Sequence, residues 1–205
     1  MIPHYFSLTD EEKLRFIAEQ GAGTLVTARP DGAIDATFLP FVIRDQEILL
    51  HMARFNGHWK AIHSPQPAAI VMTGPHHYVS ARDYLPDGAA GASTWDYTQV
   101  TIHGTITVHD DSTWVKTAAL ELAGQWDPEH GMDDTYVDRS AKAIIGLSMT
   151  IDRIDGQAKL SQNKLPEERA QIVSRLQGLP DARAHALAED IAQAPSRARR
   201  TPYNG

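Results

Sequence analysis

Residues 94–109 read TWDYTQVTIHGTITVH, a run whose pattern suits no helix. Val100, Ile102, Ile106 and Val108 keep a period of two, while Trp95, Tyr97, Gln99 and His103 fall on the opposite face. Successive side chains of a strand point to opposite sides, so the run predicts a long strand with one face for a core and one for a ligand or partner. Further strand-like runs surround it. GTLVTARPDGAIDATFLPFV (23–42) is two runs about Pro30-Asp31-Gly32, where Pro presets φ and Gly tolerates positive φ, so a hairpin follows. EILLHMA (47–53), AAIVMTG (68–74), HYVSARDY (77–84) and AKAIIGLSMTIDRIDG (141–156) complete the set.

Helical signals lie at the two ends, with one helix inserted between strands. In TDEEKLRFIAEQG (9–21), Thr9 and Glu12 form a capping-box pattern, Leu14, Ile17 and Ala18 share a face, and Gly21 offers a left-handed exit. WKAIHSPQP (59–67) predicts a short helix closed by Pro65 and Pro67, and STWVKTAALELAG (112–124) a longer one with Ser112 as its cap. Residues 165–192 read as helix interrupted near Gly178-Leu179-Pro180, and LPDGAAGAS (85–93) as a flexible connection. Short strands joined by tight turns predict a mainly β, α+β fold: an antiparallel barrel decorated by peripheral helices. A doubly wound fold would need a regular strand–helix alternation that is missing here. The expected layout is a barrel domain over 1–164, a helical segment over 165–193 packed on the same domain, and a mobile tail over 194–205.

The 205 residues carry a formal charge of −7, which repels DNA and anionic membranes and leaves anion binding to local cations. The compact basic cluster Arg197, Arg199 and Arg200 sits in the tail, and no helix-turn-helix with a basic recognition helix is visible, so direct DNA binding is not expected. With no cysteine, thiolate catalysis, disulfides and Cys-ligated metals are excluded. The ten histidines include adjacent His76-His77, which a strand sends to opposite faces, and His58 and His63 at a spacing poor for one helical face. No protein-held metal is expected. GxGxxG, Walker A, H-E-x-x-H and G-x-S-x-G patterns are all absent. The start MIPHYFSLTDEEK lacks a leader's basic and apolar regions, and no apolar run reaches membrane-spanning length, so a soluble, cytoplasmic protein is the expectation.

ARFNGHWK (53–60) crowds Arg54, Asn56, His58, Trp59 and Lys60 together just after an apolar run. Two cations at the entry to a short helix suit a phosphate group. The same residues fit a second reading, solvated cations with Trp59 packed on the barrel. Tyr78, Ser80 and Arg82 alternate on one strand face, and Trp95 and Tyr97 share another. Such sets suit a flat heteroaromatic ring, or equally an oligomer interface or core.

The pieces ARFNGHWK, TGPHHYVSARDY, STWDYTQVTIHG, KAIIGLSMTIDRIDG and KLSQNK, with the opening MIPHYF, resemble in order and spacing the PaiB-like FMN-binding negative transcriptional regulator family. The likeness runs from residue 1 to about residue 178. It implies a split β-barrel of the pyridoxamine phosphate oxidase-like kind, an intertwined homodimer with FMN at the subunit interface. Carried over, Arg54 and Lys60 become the phosphate-binding pair, with Asn56 and His58 as secondary polar contacts, and the backbone of Leu39, Pro40 and Phe41 lies beside the isoalloxazine. Tyr78 and Ser80, Trp95 and Tyr97, and Gln162 and Asn163 match three further blocks. Two departures stand out: Asp96 where an amide is expected, and the longer DGAAGAS segment. A ring-facing Asp96 would disfavour an anionic reduced flavin; an Asp96 turned away would not. The resemblance implies a flavin-dependent regulator or sensor. The alternatives are an FMN-dependent oxidoreductase using NAD(P)H or a small amine, with Tyr97, His103 and Arg82 as groups to watch, and a haem-binding or cofactor-free split barrel.

Overall fold

A computed structural model describes residues 4–84 and 91–195. Its elements are α1 (Asp10–Gln20), β1 (Ala22–Ala28), β2 (Ile34–Arg44), β3 (Glu47–Ala53), α2 (His58–Ala61), β4 (Gln66–Val79), β5 (Thr94–His109), α3 (Ser112–Trp126), α4 (Asp134–Ala141), β6 (Ile144–Lys159), α5 (Pro166–Gln177) and α6 (Ala182–Gln193). The six strands close into a barrel in the order β1-β2-β3-β6-β5-β4, with antiparallel β1/β2, β1/β4, β2/β3 and β3/β6 ladders. The chain divides into two compact units, Arg15–Met72 with Thr101–Asp155, and Met1–Leu14 with Thr73–Val100 and Gly156–Gly205. The division falls within β4, β5 and β6.

In the first unit the β1–β2 hairpin is turned by Gly32 at φ +86°. Its register sets Gly23, Leu25 and Thr27 opposite Leu39, Thr37 and Asp35. Leu25, Leu39 and Phe41 then face the core with Ile48, Leu50, Met52, Ile70, Met72, Ile102, Ile106, Ile145, Leu147 and Met149, all buried. Each such side chain contributes roughly 1.5–3 kcal/mol by leaving water. The alternate residues of β2, Ile34, Ala36, Phe38 and Pro40, are exposed, Ile34 to 63% and Phe38 to 70%. An apolar strand face left in water is a surface without a partner among the described residues.

The helix α3 lies over β3 and β2, and its cap is Asp111, whose carboxylate accepts from the Trp114 N–H at 2.9 Å. Ser112 is instead the first helical residue. A Cβ on Gly146 would collide with the Trp114 indole, so glycine lets the helix approach β6. His109 stacks on the same indole at 3.9 Å and meets the Ser148 hydroxyl at 2.9 Å.

In the second unit Val79, Tyr84, Ala158 and Leu160 pack with Ile172 and Leu176 of α5 and Ala184, Leu187, Ala188 and Ile191 of α6. The Arg169 guanidinium donates to the Ala194 carbonyl at 2.7 Å and to that of Ile191, satisfying the end of α6.

Most expected elements form. Thr9 and Glu12 exchange the two hydrogen bonds of a capping box, Gly21 has φ +55°, and the break between α5 and α6 falls at Gly178–Asp181. One pairing of segments is corrected: AAIVMTG and HYVSARDY are a single strand, β4, ending in a 3₁₀ turn over Ala81–Asp83. The Gly74-Pro75 step reads as punctuation, but extended φ and ψ suit both Pro and the residue before it, and the strand runs through. Helix α4, capped by Asp133, is an element the sequence pattern did not announce. Much of the LPDGAAGAS segment, the first three residues and the Arg197–Arg200 cluster lie outside the described residues.

Candidate functional site

The β3 strand ends at Ala53, and the next four residues turn through Arg54 to the single helical turn α2. The Arg54 guanidinium is already engaged. It donates to Asp110 Oδ1 at 2.6 Å, to the Lys142 carbonyl at 3.1 Å and to the Ile144 carbonyl at 3.2 Å, tying the end of β3 to the α4–β6 junction. Its bond holds the Asp110 carboxyl below the usual carboxylate range. The adjoining cavity, about 150 Å³, is lined by Arg54, Asp110, Ser112, Lys116, Asp138 and Lys142 among others, and there Lys116 pairs with Asp138. Arg54 is therefore a brace, and a phosphate would have to compete with Asp110 for it.

Lys60 differs. Its side chain is exposed, lies 5.7 Å from the Trp59 ring centroid, and has no ion pair among the described residues. Trp59 donates its indole N–H to the Arg54 carbonyl at 2.9 Å, which fixes the turn's shape. Asn56 Oδ1 accepts from the His58 N–H at 2.9 Å, leaving the amide nitrogen of Asn56 as a donor. His58 is only 4% exposed, with Nε2 2.9 Å from Thr27 Oγ1 and Nδ1 2.8 Å from Thr37 Oγ1. Burial holds this imidazole below its ordinary pKa against the pull of Asp35, so it plugs the barrel as a neutral ring. Phe55 projects 90% exposed beside these groups. At one turn, α2 is too short for a macrodipole to matter, so any anion here relies on Lys60 and hydrogen-bond donors.

Leu39 and Phe41 are buried in the same unit, and Pro40 lies on the exposed side of β2. Thr27 and Thr37 were not singled out by the sequence. The available signal was their place on the inward face of the hairpin, where hydroxyls among apolar residues need a partner.

The remaining expected site residues fall in the second unit, where two motif blocks hold each other. Asp96, 1% exposed, accepts from Ser161 Oγ at 2.5 Å, and its other oxygen has no hydrogen bond. Lys159 Nζ lies 3.9 Å from that oxygen and donates to the Trp95 carbonyl and to Thr94 Oγ1. Burial pushes the Asp96 carboxyl up from its ordinary pKa, opposed by the Ser161 bond and by Lys159. Gln157 donates to the Tyr97 hydroxyl at 2.7 Å. Gln162 is spent on the Leu160 N–H and the Ala158 carbonyl, and Ser80 is spent capping the 3₁₀ turn with Asp83. Tyr78 and Trp95 remain about half exposed, with the Trp95 ring centroid 6.0–6.4 Å from those of His76, His77 and Tyr78. Asn163 is half-buried and Arg82 exposed. His103, in the first unit, meets Asp155 at 3.2 Å, and Asp155 is gripped by Arg153. No group of three or more metal-ligating side chains occurs among the described residues. No helix among them is long and apolar enough to cross a membrane.

Against known proteins, the domain model described as "Putative FMN-binding domain" matches residues 1–153. The chain belongs to this FMN-binding family. A curated member of similar length, "Protease synthase and sporulation protein PAI 2" of Bacillus subtilis, is 26% identical over 202 residues, covering 92% of this chain and 94% of that protein. Among solved structures, the FAD and haem binding protein of Mycobacterium smegmatis is similar with a TM-score of 0.56 at 18% identity, over 75% of this chain and 73% of that one. A conserved hypothetical protein of Mycobacterium tuberculosis gives 0.56 at 15%, over 78% and 90%. These structures establish the split-barrel fold of the FMN-binding family for this chain, and FMN is the cofactor its family match assigns.

Proposed function

We propose that this chain is a homodimeric FMN-binding protein, with Lys60 and the Asn56 amide holding the phosphate, that serves as a flavin-carrying regulator. The observation that carries the reading is the exposed Lys60, with no ion pair among the described residues, on a turn that Trp59 and His58 tie down by hydrogen bonds, in a chain of the FMN-binding family. The donor set suits a phosphomonoester: one full cation, one amide, and no carboxylate bonded to either. Bound FMN supplies reversible redox chemistry. The chain's residues bind and orient it. The exposed apolar face of β2 supports self-association, because Ile34 and Phe38 gain by leaving water. The regulatory role draws on the sporulation relative's name, and the charge of −7 favours action through a ligand or protein over direct DNA contact.

The test is the near-ultraviolet to blue absorbance of freshly purified protein, then FMN titration with native mass determination. One FMN per subunit of a dimer is expected. A Soret band, or a monomer that takes up no flavin, contradicts the reading. A second reading, an FMN-dependent oxidoreductase, is favoured by His103 poised on the Arg153-anchored Asp155. Steady NAD(P)H consumption beyond that of free FMN would select it.

A further inference from the structure

The hydrogen-bond chain Thr27–His58–Thr37 has a direction, and the direction fixes what Thr37 offers to a ligand. Thr27 is 3% exposed, and its hydroxyl has one partner among the described residues, His58 Nε2. A buried hydroxyl with one partner spends that contact as a donor, since an unmade donor costs more than an unfilled lone pair on an oxygen that has already bonded. Nε2 therefore accepts. The ring is neutral, so its proton is on Nδ1, and Nδ1–H donates to Thr37 Oγ1 at 2.8 Å. Thr37 then does not need its own hydrogen for the ring. The residue is only half-buried, so its O–H is left for a further acceptor. Arg29 cannot compete as a positive group at this spot: its guanidinium is locked on Asp35 by two 2.6 Å bonds.

Resting on the FMN reading above, we propose that the Thr37 hydroxyl is a preset hydrogen-bond donor to the FMN phosphate, with His58 as the positioning residue that holds it in the donor state. Thr37 is hydrogen-bonded to His58, the first residue of the helical turn that also carries Lys60, so cation and donor are tied to the same turn. A preset donor avoids reorientation when the anion arrives. It also discriminates: FMN has the phosphate and riboflavin lacks it.

Two measurements test this. In FMN and riboflavin titrations, Thr37→Val should weaken FMN about tenfold, as loss of one charge-assisted hydrogen bond does, leave riboflavin unchanged, and be rescued by Thr37→Ser. In the wild-type protein, imidazole nitrogen NMR should give His58 a protonated Nδ1 and an unprotonated Nε2. Either the opposite tautomer, or a Thr37→Val protein that binds FMN like the wild type, overturns the proposal while leaving the FMN reading intact. A wild type that binds no FMN sinks that reading instead, whatever the tautomer.

Discussion

Asp96 carries its charge against its surroundings, and this sets the pH behaviour of the β5–β6 junction. It is buried, one oxygen has no hydrogen bond, and the 3.9 Å gap to Lys159 is too long for a direct one. Because burial raises its folded pKa, the folded state holds a proton more tightly than the unfolded chain. Stability contributed by the protonated form is therefore lost as pH rises from the ordinary carboxylate value of 3.8 through the folded pKa. Asp96→Asn, which keeps a partner for Ser161 and removes the charge, should stabilise the protein at pH 7 by roughly 1–2 kcal/mol and flatten that slope. Denaturant unfolding of both proteins at pH 5 and pH 7 checks it. In the folded chain Asp96 is turned onto Ser161. For the cations, Lys60→Ala should weaken FMN roughly tenfold or more at unchanged thermal stability. Arg54→Ala should lower the unfolding temperature, because it strips two carbonyls and Asp110 of their donor. Residue types at the site were legible in ARFNGHWK, but their partners were not. Whether Arg54 meets a ligand or Asp110 depends on a contact 56 positions along the chain, which no local pattern encodes.

At the scale of elements, the barrel unit buries His58 on α2 and partly buries His51 on β3 and His109 on β5. Burial lowers the pKa of each below the ordinary 6.5. Between those lowered values and 6.5 the unfolded chain binds more protons, so the barrel should lose stability as pH falls through that window. That is opposite in sign to Asp96. Thermal unfolding of the Asp96→Asn protein, which lacks that opposing group, should show a lower midpoint at pH 5.5 than at pH 7.5, and an equal or higher one would contradict it. Docking of α3 gives a second test. Gly146→Ala forces the Trp114 indole away from β6 and should cost roughly 1–3 kcal/mol of overpacking. A change within experimental error would mean the helix simply shifts. Elements with strong local signals, β5 with its period of two and α1 with its capping box, were readable from sequence at nearly their observed bounds. Continuity through Gly74-Pro75 and the existence of α4 were not, because tertiary pairing and packing, rather than local propensity, decide them.

For the whole molecule, the exposed Ile34–Ala36–Phe38–Pro40 face of β2 is an apolar surface left in water. Phe38→Glu should convert a dimer to a monomer by light scattering, with the fold intact by circular dichroism. A dimer that survives the change would move the interface elsewhere. The account rests on an anion-holding turn built around Lys60, so equilibrium titration of FMN and riboflavin into wild-type and Lys60→Ala protein tests it most directly. FMN should bind the wild type at least about tenfold more tightly than riboflavin, with most of that preference gone in Lys60→Ala. Equal affinities for the two flavins in the wild type, or an undiminished preference in the variant, would contradict it.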